Sequence, residues 1–168
     1  MTALAGVIPF KIGDFRSSIE VLRVFPGMPK GTIDRWALRA RRGDQEIRVL
    51  DPLSLLDSKL YLALKVDQKE RRDVEHLRIM LLCVRAFLRE TLRGVEAGTL
   101  PLRGWLGTVE RVLKLADSKL GRKATQRLSV DWKQALPLIE IAASLRPAVE
   151  RFREKRLAQW GSKRADLA

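Results

Sequence analysis

The stretch DVEHLRIMLLCVRAFLRETLR, residues 73–93, decides the fold. Within it Val74, Leu77, Leu81, Val84 and Leu88 recur at alternating spacings of three and four, which puts their side chains on one face of a helix. Met80, Leu82, Cys83 and Phe87 widen that apolar stripe, so the pattern predicts a long helix at the centre of the molecule. Asp67 with Glu70 three residues on resembles an acidic capping box and predicts its start; Gly94, after Arg93, predicts its stop. The apolar run Ile79 to Val84 is bracketed by Arg78 and Arg85, far short of the ~20 residues that span a bilayer.

Toward the N-terminus, Asp51 is a good helix cap, because its carboxylate accepts from free backbone N–H groups. Pro52 suits the first helical position, where a missing donor costs nothing. A helix from Pro52 to about Val66 follows. The residues before it differ in kind. Ile19 to Val24 and Glu46 to Leu50 are short β-branched runs that predict two strands. Between them Phe25 to Gly31 has loop chemistry, and Thr32 caps an expected short helix from Ile33 to about Arg41, ended by Gly43.

Toward the C-terminus, a Gly- and Pro-bearing loop from Gly94 to Gly104 leads to an expected helix from Trp105 to Leu120. Its inward residues are Leu106, Val109, Leu113, Ala116 and Leu120, and Gly121 is its stop. Ser129 is a candidate cap for a helix from Val130 that kinks or restarts at Pro137, and Pro147 opens a last helix to about Trp160 before a frayed tail. Asp-Ser-Lys-Leu occurs at residues 57–60 and again at 117–120, but the flanks do not match, so no repeat follows. The expected fold is α+β and predominantly α-helical: a small N-terminal two-stranded sheet and a body of about five helices. Residues 1–94 form the first segment, and 95–168 a helical segment packed on it, as one compact unit.

The totals agree with a folded domain. Of 168 residues, 46% are apolar and 32% charged, and the net charge of +13 attracts polyanions. The single cysteine rules out an internal disulfide or a cysteine-based metal site. With one histidine, His76, no catalytic triad or zinc centre of the usual kind can be assembled. His76 reads as a structural or surface residue. No Walker loop or dinucleotide fingerprint occurs, and Met1 to Phe10 has no basic region ahead of its apolar residues. The expected location is therefore the cytoplasm, with no membrane partner.

Between Val49 and Ile79 stand, in order, Asp51-Pro52, Leu55-Leu56, Asp57-Ser58-Lys59-Leu60, Arg71-Arg72-Asp73-Val74 and His76-Leu77. Preceded by the strand at Ile19 to Val24, this order resembles the second half of the minimal nucleotidyltransferase-like proteins, a bacterial group that contains abortive-infection-type toxins. The resemblance runs from about Ser18 to Leu92. It implies that Lys59, Arg71, Arg72 and Asp73 meet the substrate phosphates. It also implies that Glu20 is the counterpart of a third metal-binding carboxylate. The glycine turn and the carboxylate pair that complete such a site have no counterpart in the chain, and one carboxylate cannot fix two Mg²⁺ ions.

The resemblance thus describes a truncated, split or degenerate member, non-catalytic alone, with no cofactor required and Mg²⁺ bound only where a partner completes the site. Read from the residues alone, Glu20 is an outward residue of an amphipathic strand, Lys59 a solvated charge, and Asp73 either orients Arg71 or Lys59 or complements the positive end of its helix.

The arginines support another reading. Arg71, Arg78 and Arg85 repeat at seven with Arg89 four further on, Arg39, Arg41 and Arg42 cluster before the second strand, and Arg151, Arg153, Lys155 and Arg156 lie near the end. Converging, they describe a non-enzymatic protein that binds RNA or DNA phosphates; scattered, they are solvated faces. An acidic partner protein, as in a toxin–antitoxin pair, and a homo-oligomer remain as alternative partners.

Overall fold

The computed structural model describes residues 4–22, 26–27, 31, 35–69 and 71–165. Four strands come first: β1 (Leu4–Ile12), β2 (Phe15–Leu22), β3 (Leu38–Arg42) and β4 (Gln45–Val49). They pair as two antiparallel hairpins, β1 with β2 and β3 with β4. Both turns are the dipeptide Gly-Asp, at 13–14 and 43–44, between the closing pairs Ile12–Phe15 and Arg42–Gln45. Each glycine has φ near +59°, which a two-residue hairpin turn of this kind requires.

Ile19 to Leu22 of the first expected strand lie in β2 and Glu46 to Val49 of the second in β4, each with a partner strand; Arg23 and Val24 lie outside the described residues. β1 was missed, and the expected helix from Ile33 to Arg41 is corrected in its second half: Arg35 and Trp36 are helical, with Arg35 N donating to Gly31 O at 3.1 Å, but the helix does not reach Arg41. Thr32, Ile33 and Asp34 lie outside the described residues, and Leu38 to Arg42 form a strand whose Leu38 pairs with Val49. Gly43 explains the error, because a helix C-terminus and a hairpin turn both need a glycine with positive φ. That residue alone cannot tell the two apart.

Nine further elements follow. These are α1 (Pro52–Lys65), α2 (Asp73–Glu96), α3 (Leu102–Asp117), α4 (Lys119–Leu128), a 3-10 turn at Trp132–Ala135, α5 (Leu138–Ala143), α6 (Pro147–Phe152) and, after one π-helical turn at Arg153–Leu157, α7 (Ala158–Ala165). The α+β, predominantly helical class stands. Asp51 caps α1 as expected, accepting from the backbone N–H groups of Leu53 at 3.1 Å and Ser54 at 3.3 Å.

α2 starts later than expected, at Asp73, and passes Gly94 to reach Glu96. Gly98 provides the positive φ after it, and Gly94 O accepts from Thr99 and Leu100 as the chain folds back. The expected helix from Trp105 to Leu120 is two helices, broken at Ser118, whose hydroxyl accepts from Gly121 N at 3.0 Å. Ser129 ends α4 instead of opening a helix, and Asp131 caps the 3-10 turn.

α2 is central: it packs on α1, on α3 and on the 3-10 turn. Leu77, Leu81, Val84 and Leu88 are fully buried, joined by Leu92 and Val95. Val74, Met80 and Phe87 pack at the edge, whereas Leu82 and Cys83 are exposed, so the stripe is narrower than expected. Burying each large aliphatic side chain contributes about 2 kcal/mol.

Three buried tryptophans join the C-terminal half to this core, each with its indole N–H satisfied as burial demands. Trp105 donates to Leu88 O at 2.9 Å, Trp132 to Gly121 O at 3.3 Å and Trp160 to Asp117 Oδ1 at 3.1 Å. Arg156 adds a two-pronged contact to Glu110, at 2.7 and 3.2 Å. Among the described residues no helix is long and apolar enough to cross a membrane.

Candidate functional site

The segment between α1 and α2 brings together three of the four residues expected to meet phosphates. Asp73, at the first position of α2, is 2% exposed. Its Oδ1 accepts from Lys59 Nζ on α1 at 3.1 Å, and its Oδ2 accepts from Arg71 Nε at 2.5 Å. Burial acts to raise the Asp73 carboxyl, but the hydrogen bonds and charges of Arg71 and Lys59 outweigh it and hold the group below the ordinary carboxylate range.

Lys59 and Arg71 keep side-chain exposures of 30% and 44%, while the carboxylate sets their direction. Arg72, next to them, is exposed and makes no side-chain cap to α2. The group is two aimed cations on one buried anion, with a third cation alongside. That arrangement suits a phosphate, because a buried carboxylate holds two cationic donors in fixed positions. Glu20 lies in β2, paired with Val7 of β1.

A second buried carboxylate was read from the sequence only as a cap. Asp51, besides capping α1, accepts from the Ser54 hydroxyl and from Arg111 Nη1 of α3 at 3.4 Å. The Arg111 guanidinium also stacks on Trp36, 3.8 Å from the ring centroid. Trp36, Leu53, Asp57, Arg111, Lys114 and Lys119 line a cavity of about 570 Å³. Burial raises the Asp57 carboxyl there, and Arg111 partly offsets the rise. Sequence reasoning missed Trp36 and Arg111, which stand 75 residues apart with no local pattern linking them.

The expected nucleic-acid arginines stand on β3, on α2, and on α6 with the π-helical turn after it. In β3, Arg39 faces Glu46 at 3.5 Å and Arg41 is exposed; the side chain of Arg42 lies outside the described residues. On α2, Arg78 donates to Leu128 O at 3.4 Å. Arg85 and Arg89 line a cavity of about 510 Å³ that also carries Asp131, Lys133 and Glu140, and Arg89 lies 4.0 Å from Glu140. Arg151 is exposed, while Arg153 contacts Ala142 O, Glu150 and Glu154. Glutamates thus accompany Arg39, Arg89 and Arg153, in exposed pairs of the kind that hold little energy. His76 is exposed on the first turn of α2. Set against family models, curated proteins and solved structures, the chain matches none.

Proposed function

We propose that the chain is a nucleotidyltransferase-related protein that holds the phosphates of a nucleotide at Lys59, Arg71 and Arg72 and does not catalyse transfer by itself. The observation that carries this reading is the meeting of Lys59 and Arg71 on the buried carboxylate of Asp73. These are residues that the motif order marks for phosphate contact, and they come from two sides of a loop. Asp73 acts as a positioning residue: it stays ionised and keeps both cations aimed. Transfer of a nucleotidyl group needs acidic ligands for Mg²⁺, and Glu20 is the one counterpart in this chain, so a partner supplies the others.

The test is calorimetric titration of the whole chain with ATP, GTP, CTP and UTP. Saturable binding is expected with at least one of them, weakened about tenfold or more, roughly 1.4 kcal/mol, by Lys59→Met or Arg71→Met at unchanged circular dichroism. Absence of binding to all four, or full affinity in Lys59→Met, overturns the site. Unaided transfer of a nucleoside monophosphate to an acceptor overturns the dependence on a partner.

A further inference from the structure

α4 presents a charge pattern that nothing described so far uses. Lys119, Lys123 and Arg127 stand four apart on one face, and the whole helix carries four basic residues and no acidic one. Like charges at this spacing destabilise a helix. The packing of α4 against α1 and α3 adds more of the same sign: the Lys123 pKa is lowered by the charge of Arg127, by desolvation, and by the charges of Lys65 at the end of α1 and of Lys119. Among the described residues no ion pair involves Lys65, Lys114, Lys119, Lys123 or Arg127. The Arg85–Arg89 cavity contains Asp131 and Glu140, whereas the Trp36 cavity contains one acidic residue, Asp57, with Arg111 acting on its charge.

Lys119 belongs to this ridge and also to the wall of the Trp36 cavity, together with Lys114. The cavity thus opens beside the uncompensated cations. Its apolar wall of Trp36, Leu53, Leu115 and Leu120 borders a space of about 570 Å³, enough for a nucleobase.

We propose that Lys65, Lys119, Lys123 and Arg127 form a ridge that binds the phosphate backbone of a single-stranded nucleic acid, with one unstacked base entering the cavity walled by Trp36. Charge complementarity selects a polyanion. The neighbouring cavity selects a single strand, since duplex bases are stacked away from such a space. This surface is separate from the Lys59–Asp73 group and does not depend on nucleotide binding there.

The test is fluorescence anisotropy of the whole chain with labelled single-stranded DNA, single-stranded RNA and duplex DNA of one length across a salt series. Four phosphates neutralised on a single strand give a slope of log affinity against log salt of about −3. Binding is expected with about that slope, tighter for a single strand of either sugar than for the duplex. Replacing Lys65, Lys119, Lys123 and Arg127 together by Gln should weaken it at least tenfold while the melting temperature stays level or rises, because the four cations repel one another.

A control with Lys11, Arg103, Lys133 and Lys155 replaced by Gln removes the same charge from other exposed positions. Equal loss in the control means unlocalised attraction to net charge and overturns the ridge. Equal affinity for the duplex overturns the base-binding cavity, as does quenching of tryptophan emission that persists in Trp36→Phe. Nucleotide titration of the ridge variant should be unchanged, so failure here is distinct from failure at Lys59.

Discussion

At the scale of single residues, the buried carboxylates have the largest consequences. Asp73 has a depressed folded pKa, so its contribution to stability is present above its unfolded value of about 3.9 and is lost as pH falls through the folded pKa. Asp73→Asn should cost about 1–2 kcal/mol at pH 7, toward the lower end for charge-assisted hydrogen bonds, because Lys59 and Arg71 are partly solvated. Urea unfolding at pH 7 and pH 3 should show the gap between wild type and variant shrinking in acid. A gap unchanged between the two would mean that the carboxylate is not paired as described. Asp51 shows what single residues disclose in advance: the Asp-Pro signal is local, and the cap is where it predicts. Its bond to Arg111 is a contact across 60 residues, and no spacing announces it.

At the scale of elements, two glycines separate local signals from tertiary ones. Gly121 was read as a helix stop but sits inside α4, buried, where an added Cβ would collide with the backbone carbonyls of Leu115 and Ala116. Backbone cannot swing aside as a side chain does, so Gly121→Ala should destabilise by about 2 kcal/mol, the overpacking cost exceeding the roughly 1 kcal/mol gain in helix propensity. Gly107 on α3 has open space around its would-be Cβ, and Gly107→Ala should instead stabilise by up to about 1 kcal/mol. Thermal melts of the two variants check this, and a shift of the same sign in both would refute the close approach. The helical positions of α1 and α2 were legible because one apolar face repeats along them. The β3–β4 hairpin was not, because Arg35 and Trp36 are helical and nothing local marks the change to a strand at Leu38; only its pairing with Val49 decides.

At the scale of the whole molecule, the net charge of +13 makes the folded state repel itself. The Debye length falls from about 30 Å at 0.01 M salt to about 8 Å at 0.15 M, so the repulsion around α4 is screened over that range. Raising NaCl from about 10 to 200 mM should raise the melting temperature by roughly 2–4 °C, the equivalent of about 1 kcal/mol for a chain of this size. A flat or falling response would mean that the attractive pairs, such as Arg156 with Glu110, outweigh the repulsion.

The sequence by itself determined the helical class, the central place of residues 73–93, the Asp51 cap and the restart at Pro147, because each depends on neighbours within a turn or two of helix. Only the tertiary structure decided that Lys59 and Arg71 share Asp73, that Arg111 reaches both Asp51 and Trp36, and that the cations of α4 meet Lys65. Those contacts depend on how helices pack, and packing is chosen by the fit of whole faces, which no short window of residues contains.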